Sequence, residues 1–370
     1  MDFDFSDEQK LIRDEARKLF AAQCDRHRVR RLLDEKAPYD RELWRTVADA
    51  GYLGTAIAES HGGLGLGYVT LCVIAEEAGR ALAPLPLSSS LYLAAGALML
   101  SGDAAAQAEW LPRLASGEAI GTLALSERLL PQHALDRLQT RIVDGRLSGE
   151  KLPVPHGQIA DVAVVVARDE AGGSGLYLVD LHGEGVRREA LDTIDAGQPQ
   201  ARLVFEGAPA RRIGGDAAAL VPKLLDRAAV LIAFEQIGGA TAALELSCDY
   251  ARLRKAFGRP IGSFQGIKHK LADMYTKIEI ARANAFYAAW ALEADAPELP
   301  LAAAAARLAA TDAYEFAAKE TIQTHGGIGA TWEADPQLFY RRARALASLL
   351  DTTPAWRDRL VAELEAGFAV

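Results

Sequence analysis

The sequence predicts a mixed α and β fold that is mainly α: an N-terminal helical domain, a middle antiparallel β domain and a C-terminal helical bundle. Three observations carry this expectation. Apolar residues recur at helical spacing toward both ends of the chain. Between them lie short alternating or β-branched runs separated by Gly, Pro and Asp. The last third is rich in alanine and leucine, in long periodic segments. The 370 residues suffice for two or three domains, and the changes of character place them at 1–120, 121–213 and 214–370.

In the first block, Ser6-Asp7-Glu8-Gln9 has the spacing of a capping box, and Ile12, Ala16, Leu19 and Phe20 then share one helical face. Further helices are expected from Asp40 to Ala50, Tyr68 to Leu82 and Ser88 to Leu100. Gly62-Gly63-Leu64-Gly65-Leu66-Gly67 lacks the GxGxxG spacing and a surrounding strand–helix unit, so it reads as a turn rather than a dinucleotide site. The run Arg26-His27-Arg28-Val29-Arg30-Arg31 reads as a solvated, basic helix end. In the second block Arg137 to Val143 alternates, and Asp144-Gly145 supplies a hairpin turn before Arg146 to Gly149. Asp161 to Ala167, Ser174 to Leu181 and Arg202 to Phe205 read as further strands. In the third block helices are expected over 216–254, 263–294 and 299–323, with shorter ones near 336–348 and 354–367.

Composition excludes several classes. A net charge of −9 is the wrong sign for a nucleic-acid binder, which must displace phosphate counterions. The cysteines Cys24, Cys72 and Cys248 are too far apart for a CxxC pair or a disulfide framework, and the seven histidines show no ligand spacing, so no metal site is expected. The longest apolar run, Leu91 to Leu100, is about half of what a membrane span needs. The acidic, alternating start is unlike a signal peptide, and the expected location is cytoplasmic.

Four strings punctuate this helix–strand–helix order. They are Phe3-Asp4-Phe5-Ser6-Asp7-Glu8-Gln9, Glu59-Ser60-His61-Gly62-Gly63-Leu64-Gly65, the Arg254-x-x-Phe257-Gly258-x-x-Ile261-x-x-x-Gln265 string, and Gln323-Thr324-His325-Gly326-Gly327-Ile328-Gly329. Together they resemble the acyl-CoA dehydrogenases along essentially the whole chain. The last two are specific, and they stand in the expected order about 60 residues apart.

The resemblance implies α,β-desaturation of an acyl-CoA thioester. A carboxylate takes the α-proton while the β-hydrogen leaves as hydride to FAD, with the thioester carbonyl polarised by hydrogen bonds in a dry pocket. It also implies electron-transfer flavoprotein as the acceptor and a tetramer whose FAD sites each span a subunit boundary. The half donated to a neighbour is implied to comprise Arg254 for the pyrophosphate, Phe257 against the cofactor, Gln265 just inside a helix start with Ser263 as cap, Gln323 near the adenosine, and Gly326 and Gly327 for close backbone approach.

The same-chain half departs from the pattern. Leu125-Ser126-Glu127-Arg128-Leu129-Leu130-Pro131-Gln132 stands where the family has Thr-Glu-Pro and a Gly/Ser-rich turn, leaving Ser126 as a candidate flavin contact. Gly149-Glu150-Lys151-Leu152-Pro153-Val154-Pro155-His156 puts Pro153 and Pro155 where the family has a tryptophan and a hydroxyl, and His156 reads as a turn residue. An ungapped count puts the family's glutamate base at Leu350. A one-residue insertion, suggested by the position of Pro336, puts Asp351 there instead, although Asp351-Thr352-Thr353-Pro354 is also a helix start. The alternative glutamate position of some members falls on Ala228, with Glu235 and Glu245 on other turns of the same helix.

One half kept and one lost suggests the non-catalytic, FAD-completing subunit of a heteromeric enzyme, an arrangement the family contains among bacterial enzymes for steroid side-chain CoA thioesters. Two alternatives stay open: an active homo-oligomer with Asp351 as base, and a cofactor-free interaction protein of the same fold.

Overall fold

A computed structural model describes residues 5–127 and 134–368. Phe3 and Asp4 of the first string, and Arg128 to Gln132 of the segment replacing Thr-Glu-Pro, lie outside the described residues. The helical N-terminal part holds α1 (Asp7–Gln23), α2 (Arg26–Asp34), α3 (Arg41–Asp49) and α4 (Gly67–Arg80). A π-helical segment, Ser88–Ala95, then runs into α5 (Gly96–Ser101), followed by α6 (Ala104–Ala115). The strands are β1 (Gly121–Ala124), β2 (Arg141–Val143), β3 (Arg146–Pro155), β4 (Val162–Arg168), β5 (Ser174–Asp180), β6 (Val186–Leu191), β7 (Gln200–Pro209) and β8 (Arg211–Asp216). The C-terminal part holds α7 (Ala217–Leu253), the two-residue strands β9 (Lys255–Ala256) and β10 (Arg259–Pro260), α8 (Gln265–Glu293), α9 (Leu299–His325), α10 (Pro336–Ser348) and α11 (Thr353–Phe368). No helix among the described residues is long and apolar enough to cross a membrane.

By internal contacts the chain forms two compact units. One comprises Met1–Asp34, Cys72–Ala83 and Ala229–Val370; the other comprises Glu35–Leu71 and Pro84–Ala228.

In the first unit the expected capping box is present: the Gln9 amide donates to Ser6 Oγ at 3.2 Å, and the Ser6 amide donates to Gln9 Oε1 at 3.0 Å. Ala16 and Phe20 then carry the buried face of α1. The C-terminal helices pack around α9, whose buried face from Ala302 to Ala318 is mostly alanine, interrupted by Arg307, Thr311 and Tyr314. Small residues let helix axes approach closely, and α4 meets α7 at the extreme of this. A Cβ on Gly238 would stand 1.9 Å from the Glu76 carbonyl oxygen, and one on Gly79 would stand 2.0 Å from that of Glu235. Polar side chains line the same crossing: Arg17 pairs with Glu77 at 2.7 Å and Arg282 with Glu76 at 2.7 Å.

In the second unit the strand order is β6-β7-β3-β2-β4-β5-β8, with β1 beside β4. The sheet is antiparallel as expected, except that β1, and β2 at one residue, run parallel to β4. Asp144 and Gly145, both at positive φ, turn β2 into β3 as the Asp-Gly pair requires. The strand start expected at Arg137 is instead a 3₁₀ turn, Leu135–Arg137. Val162 to Ala167 are all buried, which is why that run reads as continuously apolar. The whole π-helical segment is buried too, and Ser90 Oγ accepts the Gly121 amide at 3.1 Å, joining it to β1.

Candidate functional site

The Arg254 string forms a compact device at the end of α7. Its helix closes with the Arg254 amide on the Tyr250 carbonyl at 2.8 Å, and the chain then makes a two-stranded hairpin with Phe257 and Gly258 at its tip. Both tip residues have positive φ, the geometry of a tight turn between antiparallel strands. The turn presents Phe257 to solvent, 96% exposed. Phe264 backs it, edge to face at 6.2 Å between ring centroids, with the Arg259 guanidinium 4.1 Å over the Phe264 ring. Ser263 does not cap α8 as expected: its hydroxyl donates to the Pro260 carbonyl at 2.7 Å, and Phe264 occupies the cap position. Arg254 and Gln265 are both exposed, Gln265 in the first turn of α8.

The Gly-Gly string ends α9. Gly326, at φ 66°, leaves the helix and starts a 3₁₀ turn, Gly326–Ala330. Gln323, Gly326 and Gly327 are exposed, and a Cβ at either glycine would meet nothing within 4 Å. Gly329 instead packs tightly, where a Cβ would come 2.7 Å from the Ile322 carbonyl oxygen.

The two strings are brought together by residues that sequence reasoning left without a role. Tyr250 stacks on His325 with centroids 4.1 Å apart, and Lys270 of α8 pairs with Glu320 of α9 at 2.6 Å. Burial pushes the His325 pKa down against the opposing contact with the Thr321 carbonyl at 2.8 Å. The ring is therefore neutral near pH 7 and donates from Nδ1, which fixes its plane against Tyr250.

The Ser126 region is built around a buried ion pair in the other unit. The Ser126 carbonyl accepts the Leu152 amide at 3.0 Å, and Ser126 itself is buried. Next to it, Lys151 Nζ donates to Glu127 Oε1 at 2.9 Å and to the Leu125 carbonyl at 3.1 Å. The Gln139 and Thr140 amides complete the Glu127 carboxylate at 2.6 and 3.0 Å. Burial lowers the Lys151 pKa to about 8 against the pull of Glu127. Burial alone would raise Glu127, but the lysine and the amides hold it below the usual carboxylate range. This pair was not foreseen from the sequence, because a contact across 24 residues leaves no trace in spacing.

Along the same strand, Pro153 is exposed and Pro155 is buried, its carbonyl taken by the Thr122 hydroxyl at 2.6 Å. His156, at φ 51°, turns the chain and donates its amide to the Pro199 carbonyl at 2.8 Å, as a turn residue should.

At the expected base positions, Leu350 is buried and its carbonyl accepts the Trp356 indole at 2.6 Å. Asp351, half-buried at φ 81°, accepts the neighbouring Thr352 amide on Oδ1 at 2.8 Å. Thr352 caps α11 through the Ala355 amide at 3.3 Å. Ala228 is buried. Glu235 is buried with Arg342 at 3.8 Å, and that guanidinium also reaches the Leu82 and Ala83 carbonyls. Glu245 pairs with Arg80.

The family models for the acyl-CoA dehydrogenase N-terminal and C-terminal domains match residues 6–118 and 218–350. Acyl-CoA dehydrogenase IpdE2 of Mycobacterium tuberculosis is 34% identical over 97% of this chain and 98% of its own. A chain from a variant of the Tcur3481–Tcur3483 steroid ACAD superposes with a TM-score of 0.89 at 33% identity, covering 98% of this chain and 99% of that one. A chain of the ChsE4–ChsE5 complex of M. tuberculosis gives 0.90 at 29%, covering 99% of each. Similar from end to end in both sequence and fold, the chain belongs to the acyl-CoA dehydrogenase family of flavoprotein oxidoreductases that act on CH–CH bonds.

Proposed function

We propose that this chain is the non-catalytic subunit of a heteromeric acyl-CoA dehydrogenase, completing FAD sites whose catalytic base lies on a partner chain. The observation that carries this reading is the pair of prolines in β3. Pro153 offers no indole, and Pro155 offers no hydroxyl, while its carbonyl is already bound by Thr122. The candidate base positions agree. Leu350 and Ala228 cannot ionise, Glu235 lies beside a buried arginine, and Asp351 sits in the turn that starts α11. The likenesses to chains of the ChsE4–ChsE5 complex and of the Tcur3481–Tcur3483 enzyme support a two-component assembly, and the latter supports a steroid-derived acyl-CoA as substrate class.

The residues kept for the neighbour's site fit FAD. Arg254 offers a forked guanidinium suited to a pyrophosphate, Gln265 stands at a helix N-terminus, and the open faces of Gly326 and Gly327 admit close backbone approach. Phe257 supplies an exposed aromatic surface for the cofactor, and Gln323 a hydrogen-bonding amide. Bound FAD supplies the two-electron acceptor for the acyl-CoA, and electron-transfer flavoprotein is the proposed onward acceptor. This chain's part is to hold and orient. The proton is taken by the partner.

The test is flavin quantified by absorption against protein. Purified alone, the chain should be colourless; co-expressed with its partner, the complex should carry about one FAD per two chains. Arg254→Ala should then release flavin from the complex, and a complex that kept it would favour the interaction-protein alternative. A yellow, active homo-oligomer inactivated by Asp351→Asn would overturn the proposal in favour of Asp351 as base.

A further inference from the structure

We infer that α2 is a latch for the Gly326–Gly327 turn, and that Arg30 is its positioning residue. This rests on the reading of that turn as part of the cofactor half-site. The segment from 326 to 335 leaves α9 and re-enters a helix at Pro336. Its inner end is fixed by the Tyr250–His325 stack and by Gly329 against Ile322. Its outer end is fixed by one stripe of α2, residues 26, 30 and 34, spaced four apart and therefore on one face.

Arg30 Nε donates to the Trp332 carbonyl at 3.0 Å and Nη2 to Asp335 Oδ1 at 2.6 Å. Arg26 reaches the other oxygen of Asp335 at 3.5 Å. Asp34 Oδ1 accepts the Trp332 indole at 2.8 Å, and the Arg341 guanidinium lies 5.4 Å over that ring. The run expected to be a solvated helix end is instead a separate helix, with Arg26 and Arg30 engaged in these contacts.

Gly326 and Gly327, between the His325 and Gly329 contacts, are exposed, with open space where side chains would stand, and the latch holds the same segment from its far end. The position of the turn is therefore set by its ends. Arginine suits the outer end because one planar group meets a carbonyl and a carboxylate at once, which a lysine ammonium does with less fixed geometry. Partly exposed ion pairs of this kind contribute little to global stability, so the latch acts mainly on placement.

The experiment compares Arg30→Ala, Arg30→Lys and Trp332→Phe with Arg254→Ala, in whichever assembly holds flavin. Arg30→Ala should weaken FAD binding about tenfold, and the other two latch variants about threefold. Amide exchange should accelerate within 326–335, and the melting temperature should stay nearly unchanged. Flavin affinity within twofold of native for Arg30→Ala, while Arg254→Ala costs more than tenfold, would overturn the latch alone. So would flavin loss accompanied by exchange spread over the whole unit. If Arg254→Ala also leaves flavin bound, or no assembly holds flavin, the half-site reading fails and the latch fails with it.

Discussion

Lys151 is the residue whose electrostatics are most exposed to test. It is a wholly buried lysine in a strand, held by Glu127 and one carbonyl. Lys151→Met leaves the Glu127 carboxylate buried and short of its partner, and should cost about 3–5 kcal/mol in urea unfolding. Glu127→Gln combined with Lys151→Met removes both charges and should recover much of that loss. The sign of the pH effect follows from the folded-state pKa of about 8, below the usual 10.5. Between those values the unfolded chain binds the extra proton, so the lysine's contribution to stability rises with pH over that window. The slope should vanish in Lys151→Met. Glu235 shows the complementary point. Its neighbour Arg342 is far away in sequence, so the sequence could flag a buried carboxylate without finding what neutralises it.

Among the elements, two glycines make opposite predictions. Gly238→Ala drives a Cβ into the Glu76 carbonyl, a backbone atom that yields only if the α4–α7 crossing opens, and should cost about 3 kcal/mol or more. Gly327→Ala meets nothing, so stability should be unchanged while flavin binding by the complex falls. Thermal unfolding and flavin titration of the two variants separate packing from binding. The long helices were legible because α7, α8 and α9 repeat their apolar residues over many turns. β6 and β8 were not, because Val-Arg-Arg-Glu-Ala-Leu and Arg-Arg-Ile-Gly-Gly-Asp are largely polar and bury little. α6 went unread beside them. The motif half of the candidate site was legible because it lies in two contiguous strings. The joints that hold it, Tyr250 to His325 and Arg30 to Asp335, were not, because a stack or an ion pair between distant segments leaves no periodic trace.

For the molecule as a whole, the informative surface is apolar. Leu253, the last residue of α7, is 80% exposed, and on α8 Tyr275 is 58% and Ile280 55% exposed, in addition to Phe257. Large apolar side chains left this exposed are the positions at which a contact with another chain is to be tested first. Tyr275→Glu with Ile280→Glu should dissociate the assembly without unfolding the chain. Light scattering should show smaller particles at an unchanged far-ultraviolet circular dichroism spectrum, and an intact assembly would place the interface elsewhere.

The exposed hairpin tip has a consequence for the living cell. A copy made in excess carries Phe257 and Leu253 bare, the kind of surface that chaperones hold and proteases select. If a partner chain buries that tip, as proposed above, surplus copies should be cleared and the steady amount of this protein should follow that of the partner, so that deleting the partner's gene depletes this chain with no change in its own message.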